Sequence, residues 1–407
     1  MATKPTIALI PSGYGTNKVY SVLPSDGSGD FTFGRTGTAT RINKDKLIEG
    51  VGSNIPRIDY TDSGCPSLLL EPQRTNSVNY SQEIDNAYWS KSNCSIIANL
   101  GISPDGSLNA DKLTTSVSVS GVIYRTGITT GSLSFFAKDV NLNTGKFFIS
   151  VDGVGNARWN KDGTLSQLSG SATATDGISY GNGWLRFTLN VTSGSVVNYG
   201  IRDPTGNESI LIYGVQNEPS SVFSSSYIPT TGTSVTRNTE TANNTGVSAY
   251  INDSEGVFYL EISRLNQGQT GSSIWSLSNG SNSNAVSMYY ANSGIVVDIF
   301  SSSGVKILNY GMSFLEQANF NKLIIKYKSN DIALWVNGLK VAVNTNAISL
   351  SGLNQINASY GGGGFPFFGK TKDLRVYNTA LTDLEIETLT SFTSFNAMAL
   401  ALNYTIY

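Results

Sequence analysis

An all-β fold is predicted: two tandem jelly-roll β-sandwiches preceded by an extended, β-rich opening segment. Three observations predict it. Apolar residues make up 39% of the 407-residue chain and charged residues only 14%, with Gly at 42, Tyr at 20 and Phe at 17. That mixture is poor in helix formers and rich in residues that suit pleated strands and tight turns. Short β-runs broken by Gly, Pro, Asn and Ser recur along the whole chain. Finally, Ile332-Ala333-Leu334-Trp335-Val336 and Leu339-Lys340-Val341-Ala342 flank Asn337-Gly338, a pair that tolerates positive φ and signals a two-residue hairpin.

Residues 1–76 come first. Their β-runs, such as Ile7-Ala8-Leu9-Ile10 and Leu68-Leu69-Leu70, are too thin in apolar residues for a core of their own. The segment is expected to pack on the next domain or on a neighbouring chain. Residues 77–240 carry runs at 132–138, 146–151, 183–189 and 209–215, spaced by turn residues as in a sandwich. A polar, Asn/Thr-rich linker follows at about 238–248. Residues 249–390 hold further runs at 256–262, 274–277, 286–290, 295–300 and 322–327, then the Asn-Gly hairpin. Gly361 to Gly364 break the sequence before Phe365, and Leu374 and Val376 alternate on a last strand before a helical turn begins at Thr382. The tail, 391–407, is apolar and is expected to dock on its own domain or on a sister chain.

Several function classes are disfavoured. The formal net charge is −2 with no basic block, so a nucleic-acid footprint is missing. No apolar run is long enough to span a bilayer, and Met1-Ala2-Thr3-Lys4-Pro5 lacks a signal-peptide core. The expected site of synthesis is a cytosol, with release by lysis. Cys65 and Cys94 make no metal or disulfide framework and read as two unpaired thiols. Histidine is absent, which removes His-dependent triads, most zinc sites and the usual neutral-pH proton shuttle.

The opening segment resembles the first module of tailed-bacteriophage fibre and virion proteins. The resemblance rests on Phe31 to Arg35, Ala39 to Asp45 and the Leu68 to Asn76 exit. Residues 77–240 resemble the carbohydrate-binding-module-like domains of such fibres through Tyr88-Trp89, Trp184-Leu185-Arg186 and Ser226 to Thr230. Residues 249–390, with the Asn337-Gly338 hairpin and the run from Asp373 to Ile386, resemble a LamG-like (concanavalin A-type) domain. These resemblances imply a fibre or spike subunit at the virion surface, on tail or head, assembled in the host bacterial cytoplasm. Its opening segment would hold other virion proteins and its sandwiches would bind host surface glycans, by avidity in a homo-oligomer, expected to be a trimer. The alternative is an architectural decoration or connector protein whose sandwiches bind other virion proteins.

Neither reading needs catalysis. The nearest approach to a paired-acid strand is Glu83-Ile84-Asp85-Asn86-Ala87-Tyr88, where Tyr stands in place of the closing acid. No cofactor is implied. A structural Ca²⁺ is a possibility, with Asp152-Gly153-Val154-Gly155-Asn156 and Glu218 as its candidates, but the short-spaced ligands of a calcium loop are missing. Glycan binding needs rings for the sugar's C–H faces, with amides or acids alongside. Trp159, with Asn156, Asn160 and Asp162 in a turn-rich stretch, is one such set, although the core is an equal destination for that ring. Tyr289 and Tyr290 form the other: adjacent on a strand, one faces in and one out. Trp184, Trp275 and Trp335 are expected in the core.

Overall fold

A computed structural model describes residues 4–62, 64–116, 118–265 and 273–391; the apolar tail expected to dock lies outside them, apart from Ser391. The chain is all-β and folds as two compact units. Unit 1 comprises residues 1–36, 52–72 and 239–407, and unit 2 comprises 37–51 and 73–238. The sequence reading kept residues 1–76 as one segment packed on the next domain or on a neighbouring chain, whereas here they are divided between both units. Strands too short to make a core are instead shared out between two larger cores, so the chain passes between the units four times.

In unit 1 an eight-stranded sheet runs, in spatial order, Leu339–Asn344, Ile332–Val336, Asn321–Lys328, Glu255–Arg264, Gly369–Tyr377, Ser67–Leu70 and Ile58–Asp59, with Ile7–Leu9 also on Gly369–Tyr377. Residues from opposite ends of the chain thus pair directly, Leu9 with Leu374 and Leu68 with Thr371. Beneath it lies a nine-stranded sheet that starts at one side with the short opening strands Tyr14–Gly15, Lys18–Val19 and Phe31–Gly34 and continues through Thr241–Thr245, Gln355–Asn357, Ser273–Ser278, Ala285–Ala291, Gly294–Ser301 and Gly304–Gly311. Phe258, Leu260, Leu323 and Leu374 from the first sheet meet Trp275, Met288, Val297 and Ile356 from the second in one core.

The hairpin turn forms at Asn337 (φ 50°) and Gly338 (φ 90°), the two successive positive φ values of a primed turn. The helix Asp383–Ser391 starts with a reciprocal cap: Glu385 N–H donates to Thr382 Oγ1 at 3.3 Å while Thr382 N–H donates to Glu385 Oε2 at 2.8 Å. Its Ile386 and Leu389 cover Trp335 and Tyr259 on the outer side of the eight-stranded sheet. Unit 1 also buries a cluster of four charges. Glu240 accepts from Arg35 Nη1 at 2.7 Å and Arg57 Nε at 2.8 Å, and Arg57 Nη1 reaches Glu71 at 2.6 Å. Two cations and two anions balance there, and the Glu71 N–H adds a donor to Glu240 at 2.9 Å.

Unit 2 has a six-stranded sheet in the order Ser90–Ser92, Gly121–Thr126, Val196–Arg202, Lys146–Val151, Gly155–Trp159, Leu165–Gly170. Its partner sheet has seven strands, centred on Ser209–Pro219 and Gly131–Asp139. Leu133, Phe135 and Ile212 from one meet Phe147, Tyr199 and Trp159 from the other. The hairpin of Ala39–Ile42 and Ile48–Val51 packs Ile42 and Ile48 with Phe136, Trp184, Tyr213 and Tyr227 on the far side of the seven-stranded sheet. Trp184, Trp275 and Trp335 are all buried, as expected from their strands. Cys65 is exposed and Cys94 half-buried, and neither is in a disulfide.

Candidate functional site

In unit 1, alternation sorts the nine-stranded sheet into two faces. Val286, Met288 and Tyr290 point into the core, as do Ile295, Val297 and Ile299. Ser287, Tyr289, Asp298 and Phe300 therefore point away from it, with Ser276, Ser287 and Asp298 side by side in register. Tyr290 is buried and its hydroxyl donates to the Ile262 carbonyl at 2.9 Å. Tyr289 is the half-buried, outward one.

Asp298 faces outward yet is only 5% exposed, because rings close over it. The hydroxyls of Tyr289 and Tyr360 both donate to Asp298 Oδ2, each at 2.8 Å. Burial, followed by these bonds to a carboxylate, pushes both phenol groups well above the ordinary tyrosine range. Each phenol oxygen, having given its proton inward, keeps its lone pairs for a donor from outside. Asp298 Oδ1 and Ser287 Oγ are buried without a partner, so the floor retains unused hydrogen-bonding capacity.

Tyr360 arrives from a different part of the chain. Gly363 N–H donates to the Tyr360 carbonyl at 2.8 Å, and Tyr360 N–H to the Gly364 carbonyl at 3.1 Å, closing a tight loop. Gly363 and Gly364 take φ of 87° and 85°, and Phe365 follows at 45°. A bulky aromatic in the left-handed region is uncommon and marks a place where the backbone is held for a purpose or by its surroundings. Here it leaves Phe365 60% exposed, edge-on to Tyr360 at 5.9 Å. Phe300 and Tyr289 stand 6.2 and 6.4 Å from Tyr360. The loop is anchored by Gly362 N–H donating to Asn282 Oδ1 at 2.7 Å, and a side chain at Gly361 would strike the Ser281 carbonyl at 2.4 Å.

In unit 2 the structure corrects the expectation for Trp159. Its ring is fully buried, its Nε1–H donates to the Thr175 carbonyl at 2.7 Å, and it lies 5.0 Å from Phe187. The stretch read as a turn is the strand Gly155–Trp159, whose parity sends Ala157 and Trp159 inward and Asn156 outward. Asn156 Nδ2 donates to Ser169 Oγ at 2.6 Å. Asn160 Oδ1 accepts from Lys146 Nζ at 2.7 Å, and exposed Asp162 accepts from Thr164 N–H and Oγ1 at 3.0 and 2.7 Å. Those two side chains hold a turn. The four residues expected to act together are thus divided between core, sheet face and turn.

The calcium candidates have other occupations. Asp152 Oδ1 accepts from Asn198 Nδ2 at 2.8 Å beside a tight turn, and buried Glu218 accepts from Ser225 N–H at 3.1 Å and from other neighbouring donors. Among the described residues no group of three or more His, Cys, Asp or Glu side chains could hold a metal ion. Asp298, Tyr360, Phe300 and Phe365 escaped the sequence reading. The signal for Asp298 was present, as a lone acid within Ile295-Val296-Val297-Asp298-Ile299-Phe300.

No protein-family model matches the chain, and no curated protein does. Solved structures similar to parts of it include the CBM40 domain of the Ruminococcus gnavus IT-sialidase bound to α2,3-sialyllactose. That match has 16% identity and a TM-score of 0.30, over 34% of this chain and 84% of that one. A second is domain 4 of a GH43 extracellular arabinanase from Geobacillus stearothermophilus in complex with arabinotriose, at 14% identity and a TM-score of 0.31, over 37% and 73%. A third is a heptameric SAP-like pentraxin from Limulus polyphemus, at 20% identity and a TM-score of 0.29, over 35% and 71%.

Proposed function

We propose that this chain is a surface-recognition subunit of a bacteriophage virion, a fibre or spike on tail or head, that holds host glycans without chemistry. The observation that carries the binding half of this reading is the outward face of the nine-stranded sheet, where Tyr289, Phe300, Tyr360 and Phe365 surround the Asp298 floor. Exposed and half-exposed rings offer stacking surface to sugar C–H faces, and the phenol oxygens accept from sugar hydroxyls. The virion half rests on the resemblance of residues 1–76, and avidity in a homotrimer would multiply weak single contacts. Assembly would take place in the host cytoplasm.

The architectural alternative has its own support in unit 2. The edge strand Cys94–Ile102 leaves Ile97, Leu100 and Ile102 each more than half exposed, at 53%, 51% and 56%, and such an edge suits pairing with another protein. A glycan array probed with the whole protein separates the two. Retained neutral glycans, weakened in a Phe365→Ala variant with unchanged melting temperature, support recognition. An array without a single retained glycan, or shortening of a captured glycan on incubation, overturns the proposal.

A further inference from the structure

The outward face of the six-stranded sheet in unit 2 is built differently from the tyrosine face. Ser169, Asn156, Ser150, Asn198, Tyr124 and Ser90 lie opposite one another in register, one from each strand, so a polar row crosses the entire sheet. Asn198 Nδ2 donates to Ser150 Oγ at 3.0 Å, while the buried Asn156 Oδ1 has no partner. Hydroxyls, amides and one half-buried ring in a line are the groups that meet sugar hydroxyls and a sugar's apolar face.

Next to this row the charge is mainly basic, although Asp152 Oδ1 accepts from Asn198 Nδ2 at 2.8 Å on the row itself. Phe148 sits opposite Arg158 in register, and the Arg202 guanidinium lies over the same ring, 5.6 Å from its centroid. Lys146 is the register partner of Arg202. Three cations therefore stand on three neighbouring strands: Arg158 and Arg202 beside Asp203, and Lys146 beside Asn160 and the Asp162 carboxylate. Arg158 Nη1 is 2.5 Å from Asp203 Oδ2, but Arg202 Nε is 3.7 Å from Oδ1, beyond hydrogen-bond range. The Nε of each arginine lacks a hydrogen-bond partner. A guanidinium fork is matched by a bidentate anion, and Asp203, which is half exposed, serves two forks incompletely.

We propose that this face is a second binding site, for an acidic saccharide. Its sugar ring lies along the Ser/Asn row, and its anionic group, a carboxylate or a sulfate or phosphate ester, is seated by Arg158 and Arg202 in competition with Asp203. The proposal stands independently of the tyrosine face.

Titration calorimetry of the whole protein tests it, with an oligogalacturonide, its carboxyl-reduced neutral counterpart and a sulfated oligosaccharide of equal length as probes. The native protein binds at least one acidic probe about tenfold or more tightly than the neutral one, less tightly as salt rises. Which acidic probe binds distinguishes carboxylate from ester. Arg158→Gln/Arg202→Gln weakens that binding by about tenfold or more. Asp203→Asn, which keeps a residue tolerant of the positive φ of 57° found there, strengthens it a few-fold. A damaged fold cannot give that gain. Tyr360→Ala/Phe365→Ala leaves it unchanged. Equal binding of the neutral probe, no binding of either acidic probe, or no gain with Asp203→Asn overturns the proposal.

Discussion

The outward faces of the two sandwiches treat charge in opposite ways. In unit 1 a carboxylate is sealed under two tyrosine hydroxyls until only 5% of Asp298 meets solvent. In unit 2 Arg158 and Arg202 stay partly in water, with side chains 21% and 44% exposed, and share an acid that is itself half exposed. Sealing makes the charge a structural part, whose loss the fold feels and whose rings do the meeting with a ligand. Openness makes the charge available, at little cost to the fold if removed.

The buried cluster around Glu240 is the extreme of the sealed kind. Glu240→Ala leaves Arg35 and Arg57 buried with too little negative charge and is expected to destabilise unit 1 by about 3–5 kcal/mol in denaturant unfolding. Loss below about 1 kcal/mol would show that water reaches the site and that sealing is unimportant there.

Alkaline pH comes next. Burial raises the phenol pKa of Tyr199, Tyr213, Tyr227, Tyr259, Tyr289, Tyr290, Tyr327 and Tyr360 above the ordinary value of 10.0. Above that pH the unfolded chain sheds protons that the native protein keeps, so stability falls as pH rises. The contribution is complete below pH 10. Melting temperature should drop steeply above it, with a step in phenolate absorbance accompanying the melt. A melt without such a step would contradict the sealing.

Smaller still is the effect at the tyrosine face. Asp298→Ala removes the acceptor of two buried hydroxyls and is expected to cost about 1–3 kcal/mol. Asp298→Asn keeps an acceptor for both hydroxyls, so its change should be smaller than that of the alanine variant, about 0.5–1 kcal/mol. Phe365→Ala, at an exposed ring, should alter stability by no more than about 0.5 kcal/mol while weakening glycan retention. A large stability loss there would recast Phe365 as packing.

How far these faces were legible depends on what decides them. Fold class follows from composition and from Asn337-Gly338, both local properties. That one of Tyr289 and Tyr290 faces out followed from adjacency alone, but which of them did not. For Trp159 the same period was present, since Ala157 and Trp159 alternate with Asn156 and Arg158, but the flanking Gly and Asn residues suggested a turn and hid it. Tyr360 and Phe365 were out of reach: their role depends on a glycine loop folding back onto strands that precede it by many residues. The shared use of residues 1–72 was equally hidden, because pairings such as Leu9 with Leu374 are decided by three-dimensional closure.

The fourfold passage of the chain between units also orders its synthesis. By residue 238 everything unit 2 contains has been synthesised. The strand Gly369–Tyr377 is flanked by Glu255–Arg264 on one side and by strands from the opening segment on the other. Ile7–Leu9 must therefore wait through the whole growth of the neighbouring unit before Gly369–Tyr377, the strand it pairs with, is made.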